Sequence, residues 1–201
     1  MPHMFSRIAY TPTVKKLQEA EGSRQSYARM ETVSGEMNGS LSAREAAFIA
    51  ARDSFYMASV GETGWPYVQH RGGPVGFMRV LDEKTLGFAD FRGNRQYISL
   101  GNLSVDDRVS LFFMDYPNRT RLKMLGRVSV VDPDDHATLE KLGLPDYRAR
   151  VERGLLIRVE GFDWNCPQHI TPRFTLAEVE TGVAPLHARI AELETQLAAR
   201  Q

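Results

Sequence analysis

Hydrophobic and polar positions alternate in short, closely spaced runs from residue 54 onward. "SFYMASV" (Ser54–Val60) and "WPYVQHR" (Trp65–Arg71) flank the turn "GETG" and predict a hairpin. After a break at Gly72–Pro74, "VGFMRVL" (Val75–Leu81) and "TLGFADF" (Thr85–Phe91) flank "DEK" and predict a second hairpin. "RVSLFFMDY" (Arg108–Tyr116) is apolar on both faces, as a central strand would be. The turn "PNRT" leads into "RLKMLGRVSVV" (Arg121–Val131), and "GLLIRVEGFDW" (Gly154–Trp164) is the last strand. At least six strands joined mainly by hairpins argue for a mainly β fold with peripheral helices and exclude a parallel Rossmann sheet. A small closed barrel is the economical form, because it leaves no open edges.

The helical signals lie around this block. Ser42 and Glu45 form an S-x-x-E capping box before a short helix through about Arg52. A helix is expected over roughly Gly93 to Leu103, and another within "DPDDHATLEKLG" (Asp132–Gly143), with Pro near its first turn and Gly at its end. From about Ala184 the tail carries Leu186, Ile190, Leu193 and Leu197 on one helical face, which must dock on its own barrel or on a second subunit. Residues 13–30 are polar and weakly helical, an arm over the surface or over a partner, and "VSGEMNGSL" (Val33–Leu41) is loop. The chain therefore divides into an N-terminal arm (1–41), a barrel domain (42–174) and a C-terminal helix (175–201).

Composition narrows the function classes. The 201 residues are 42% hydrophobic and 25% charged, an ordinary globular balance with enough apolar side chain for a sizeable core. A formal net charge of zero gives no bulk electrostatic support to nucleic-acid binding. No window reaches the roughly 18 apolar residues of a membrane span, and the N-terminus has no apolar h-region of a Sec signal. Cys166 is the single cysteine, so no intrachain disulfide exists. The expectation is a soluble, cytoplasmic protein with no membrane or nucleic-acid partner.

One stretch is out of place electrostatically. "FADFRGNRQYISLGN" (Phe88–Asn102) sets Arg92 and Arg95 where a strand ends and a helix begins. Cations are unfavourable at a helix N-terminus, unless the resident group is an anion held by free N–H groups and by guanidinium. The rival reading is two solvated surface arginines. Gly93 permits close backbone approach, and Asn94, Arg95 and Gln96 offer side-chain donors. Further cations recur on strands: Arg121, Lys123 and Arg127 share one face, and Arg79 interrupts an apolar alternation after Val75 and Phe77. For Arg127 an exposed face with acidic neighbours is a serious alternative. Together the cations point to a phosphorylated ligand with an electron-rich body.

The segment "FMRVLDEKTLGFADFRGNRQYISLGNLSVDDRVSLFFMDYPNRTRLKMLGRVSVVD" resembles the core of the pyridoxamine 5′-phosphate oxidase family, the FMN-binding split barrels. In that family a strand ending in an aromatic, here Phe91, leads into a basic turn that binds the FMN phosphate, here Gly93-Asn94-Arg95 followed by Gln96. The helix then leads to an Asn-Pro-Arg-Val-type entry, here Asp107-Arg108-Val109. The family's Arg-Gln pair matches Thr120-Arg121, so Arg121 stands in the place of a glutamine near the flavin. The resemblance covers about Ser54 to Asp132, and more weakly Leu155 to Phe174. It departs from the true vitamin-B6 oxidases in two places. Their C-terminal Arg-x-His-type clamp is replaced by "DWNCPQHITPRF" and a helix, and "HRGGPVGF" (His70–Phe77) is glycine-rich. The resemblance is to general FMN-binding relatives rather than to the vitamin-B6 oxidase itself.

The resemblance implies a split β-barrel homodimer with flavin sites between subunits. Its cofactor-binding candidates are His70, Arg71, Gly72, Met78, Arg79, Phe91, Gly93, Asn94, Arg95, Gln96, Arg121, Lys123, Trp164, Gln168 and His169. For His70–Gly72 the alternative is a strand bulge, and for Trp164 plain packing. Cys166 and His169 make at most half a zinc site, so no metal is expected. Neither a catalytic acid or base nor a Ser-His-Asp set is evident. The implied function is an FMN-dependent oxidoreductase, an oxidase or an NAD(P)H-dependent reductase on a small substrate. The alternatives are a flavin-binding sensor without turnover, or a barrel loaded with a deazaflavin or heme.

Overall fold

The computed structural model describes residues 3–32, 38–164 and 167–199, so part of the 33–41 loop and Cys166 lie outside the described residues. Along the chain run α1 (Met4–Ala9), α2 (Pro12–Ala20), α3 (Arg24–Thr32) and α4 (Ala43–Ala50). Then come β1 (Ser54–Val60), β2 (Pro66–Gly72), β3 (Arg79–Val80), β4 (Thr85–Phe91) and α5 (Ile98–Val105). The remainder is β5 (Arg108–Asp115), β6 (Thr120–Val131), α6 (His136–Leu142), β7 (Val151–Trp164) and α7 (Leu176–Ala198). The chain forms two compact units, Met1–Met114 with Arg121–Cys166, and Asp115–Thr120 with Pro167–Gln201.

The strands make one seven-stranded sheet in the order β2-β1-β5-β6-β7-β4-β3. The fold is thus mainly β with peripheral helices, as the hairpin pattern predicts. The hydrogen-bond ladder does not close into a barrel: β2 and β3 remain edges. The expected strand Val75–Leu81 shrinks to two residues because its first half is folded into a turn. There Gly76 has φ +79°, Phe77 N–H bonds Pro74 C=O, and Phe77 and Met78 turn into the core. Gly73 is glycine for that core, since a Cβ there would lie 2.8 Å from the Phe77 ring. The β1–β2 register runs unbroken from Val60↔Pro66 to Ser54↔Gly72, so no bulge interrupts His70–Gly72.

Alternation builds the core of the first unit. β1 buries Phe55, Met57 and Ser59, while β6 buries Leu122, Met124 and Val128. Phe55 stacks on Phe77 and Phe113 at 5.7 and 5.3 Å and meets Phe88 edge-on at 5.4 Å. Such contacts add roughly 1 kcal/mol each beyond burial. The Ser42–Glu45 capping box forms as read and starts α4. Glu45 also accepts from Trp164 Nε1 at 2.8 Å, and Phe48 packs edge-on against the indole at 4.7 Å. α1 reaches β7 at Gly161, where a Cβ would stand 2.6 Å from Phe5 N. Lys123, opposite Asp163 in the β6–β7 ladder, ion-pairs with it at 3.1 Å and sits over the Phe5 ring at 4.8 Å.

In the second unit, Asn118 donates to Asp115 in the β5–β6 turn and Arg173 lies over the Tyr116 ring at 4.9 Å. α7 begins eight residues earlier than the expected Ala184, at its own capping box of Thr175 and Glu178, and runs through Pro185.

Candidate functional site

A cavity of about 300 Å³ opens in the first unit. β2 supplies Tyr67, Gln69, His70, Arg71 and Gly72; the end of β4 supplies Phe88 to Phe91; β7 supplies Glu152. The fourth wall is the segment from Gly93 to Leu100. That volume is at the small end of cofactor and ligand pockets.

The wall from Gly93 to Leu100 differs from the expected helix. α5 starts at Ile98, not Gly93, because the preceding residues are committed to a loop. Asn94 Oδ1 accepts from Gln96 N–H at 3.2 Å, and Arg95 and Tyr97 adopt left-handed backbone at φ +60° and +57°. Two non-glycine residues in that region are uncommon. Gly93 itself is not in the left-handed region, and a Cβ there would meet nothing. Tyr97 caps α5 without a side-chain hydrogen bond, so no side chain of the N-cap covers the donors of its first turn. Ser99 Oγ donates to Gln69 Oε1 at 2.7 Å and Asn102 Nδ2 to Ser59 Oγ at 3.0 Å, which fixes α5 against β2 and β1.

An ion-pair lattice stiffens the opposite side. Arg71 Nη1 donates to Asp90 Oδ1 at 2.6 Å, and Arg153 approaches the other oxygen of Asp90 at 3.5 Å. Arg153 also donates to Glu152 at 3.1 Å, and Arg92 lies 3.7 Å from Glu152. The β4–β7 register shifts between Asp90 and Phe91, pairing them with Arg153 and Val151. Glu152 is the unpaired extra residue, and the bulge turns it toward the cavity lining. Tyr97 bridges the two sides: its hydroxyl accepts from Arg95 Nε at 2.9 Å, and the Arg153 guanidinium lies 5.6 Å from its ring centre. The Tyr97 hydroxyl raises the Arg95 pKa above its ordinary value, which leaves Arg95 a fixed cation. Arg71 Nε is buried and has no hydrogen-bond partner.

Of the residues singled out by sequence, His70, Arg71, Gly72, Phe91, Gly93, Asn94, Arg95 and Gln96 come together around the cavity. The others do not line it. Met78 is buried in the core, and Arg79 Nη2 donates to Gly143 C=O at 3.1 Å. Lys123 is held by Asp163, Trp164 by Glu45, and Arg121 is half-buried with its Nε unpartnered. Arg127 pairs with Asp107 and Glu160. Gln168 and His169 belong to the second unit, where both are exposed. Sequence reasoning missed Asp90, Glu152, Arg153 and Tyr97. Asp90 had a signal, an acid inside the apolar run "TLGFADF". Among the described residues no three His, Cys, Asp or Glu side chains group to hold a metal, and no helix is long and apolar enough to cross a membrane.

The family model of pyridoxamine 5′-phosphate oxidase matches residues 41–156. The chain belongs to the pyridoxamine 5′-phosphate oxidase family. That family is of a flavin-binding, oxidoreductase type. The match spans α4 through the first half of β7, and so every strand that lines the cavity. No curated protein matches the chain. Among solved structures, HupZ from Group A Streptococcus is similar at 15% identity and a TM-score of 0.50, covering 67% of this chain and 100% of its own. An FMN-binding protein from Syntrophomonas wolfei is 12% identical over 74% of this chain and 97% of its own, with a TM-score of 0.48. A Clostridium acetobutylicum protein related to general stress protein 26 is 16% identical over 68% and 94%, with a TM-score of 0.46. The likeness to HupZ is one of fold.

Proposed function

We propose that the chain is an FMN-dependent oxidoreductase of this family, acting as a cytoplasmic homodimer on a small substrate or on NAD(P)H. The observation that carries the proposal is the wall from Gly93 to Leu100, where the exposed Arg95, its Nε held by the Tyr97 hydroxyl at 2.9 Å, stands with Gln96 beside a first turn of α5 that no N-cap side chain covers. This donor set fits a phosphorylated cofactor: Arg95, Gln96 and the first turn of α5 offer charge and N–H groups to an anion.

In this reading Arg95, Gln96 and the α5 start hold the phosphate, and the Arg71–Asp90 pair holds the β2 and β4 walls together. Phe77 and Phe88 supply apolar surface, and His70 and Gly72 form the rim. The flavin would carry the electron transfer, as such cofactors do. Asp90 and Glu152 keep the wall from being uniformly cationic, so the site favours one phosphate over a polyanion. Arg121, Lys123, Trp164, Gln168 and His169 do not line the cavity of their own chain, so in this reading they reach a flavin from a second copy.

The test is the visible spectrum of the purified protein, with the released cofactor identified by mass. Bound FMN, bleached by NADH or NADPH, is the expected result for a reductase; bleaching by an amine or alcohol substrate would mark an oxidase. Bound FMN that no donor reduces would make it a binding module. A deazaflavin or heme would keep the pocket and replace the cofactor. A colourless protein that refuses added FMN would overturn the proposal.

A further inference from the structure

α7 is 23 residues long, about 35 Å, and none of its residues is buried. Its apolar side chains are nevertheless strictly placed. Leu176, Val179, Val183, Leu186, Ile190, Leu193 and Leu197 follow one another at spacings of three and four in alternation. That is an unbroken a/d seam through three heptads, the pattern of a coiled coil rather than of a helix lying on a barrel. Leu186, Ile190, Leu193 and Leu197 are 63%, 52%, 41% and 63% exposed, which a lone helix in water does not sustain.

We infer that α7 pairs with α7 of a second copy of this chain as a parallel, in-register, two-stranded coiled coil. Two features on the helix select that occupant. The central a positions are β-branched, Val183 and Ile190, and the d positions that follow them are Leu186 and Leu193, the combination that favours two parallel strands. The flanking charges agree. Arg189 stands at g and Glu194 at the following e, so a parallel partner sets each Arg189 opposite the other chain's Glu194. An antiparallel partner would set e against e, where Glu180 and Glu194 repel. Within one chain Arg189 pairs with Glu192, three residues on and at the outward c position. Pro185, also at c, lies off the seam and costs one helical hydrogen bond. This pairing requires only a second copy, so it stands whether or not the cavity holds a flavin.

The experiment is disulfide trapping in the full chain with Cys166→Ser. Cysteine is placed at two d positions, Leu186→Cys and Leu193→Cys, and at the outward f position, Ala188→Cys. The expected result is covalent dimer from both d variants, at least about tenfold faster than from position 188, because pairing raises the local thiol concentration. Two different positions cannot both meet their own copies in an antiparallel pair. Trapping at one d position only, at neither, or equally at all three would overturn the inference. A charge swap gives the second arm. With Leu193→Cys as reporter, Arg189→Glu slows trapping and Arg189→Glu with Glu194→Arg restores it; no restoration would refute the parallel register.

Discussion

Arg71 on β2 and Asp90 on β4 meet at 2.6 Å across two strands that share no backbone ladder. Their side chains are only 15% and 11% exposed. This ion pair ties the first strand of the sheet to the sixth. Removing Arg71 leaves the nearly buried Asp90 with only the longer Arg153 contact at 3.5 Å, a loss that stays below the roughly 3–5 kcal/mol of a fully uncompensated buried charge. Arg71→Met is therefore expected to lower the urea midpoint clearly, and Asp90→Leu added to it to restore most of the loss. Equal stability of the single variant and the parent would show that the pair is screened by water.

Arg95 gives the opposite profile. It is exposed, and its guanidinium is held by the Tyr97 hydroxyl and ring. Arg95→Ala should leave the melting temperature of the apoprotein within about 1 °C. If the phosphate reading holds, FMN affinity should fall about 10–100-fold, the worth of a charged hydrogen bond. Fluorescence titration of FMN into both apoproteins measures this, and unchanged affinity would remove Arg95 from the site.

Glu45 should govern part of the acid limb of stability. Burial pushes its carboxyl up, but hydrogen bonds from Ser42 and Trp164 outweigh that, so its pKa lies below the usual value. The folded state then binds fewer protons than the unfolded chain. The stabilisation is fully present above the unfolded pKa and is lost as pH falls through the lower folded one. Glu45→Gln should be less stable at neutral pH and show a shallower loss on acidification. Urea titrations at several pH values, followed by tryptophan fluorescence, would reveal parallel slopes if the idea is wrong.

Gly161 carries α1. A side chain there would collide with the Phe5 backbone at 2.6 Å. Gly161→Val should displace α1 or cost about 1–3 kcal/mol. Limited proteolysis should then cut near residues 4–9 much faster than in the parent, while the sheet resists. Cleavage at the parent rate with unchanged stability would mean that β7 yields instead.

The strands and the α4 cap were legible because their signals are local: period-two alternation, turn residues, and S-x-x-E. The basic turn was legible as a composition anomaly, and five of the cavity-lining residues named from sequence lie in it or just before it, from Phe91 to Gln96. What escaped depends on contacts distant in sequence or on backbone no residue type announces. Arg95 and Tyr97 take left-handed φ without being Gly or Asn, which delays α5 by five residues. Glu152 enters the cavity only because β7 bulges against β4. Lys123 reads as a free cation until Asp163 stands opposite it.

The strand order also sets when the cavity can exist. β2 and β4 face it together, yet five ladders separate them, through β1, β5, β6 and β7. A nucleus of one hairpin cannot bring the β2 and β4 walls together. Sites built from such non-local pairings form late, after the slow closure of long loops. If the cavity takes FMN as proposed, ligand capture is a clock for the end of folding: in stopped-flow refolding, FMN quenching should keep pace with the slowest phase of the sheet and never precede it.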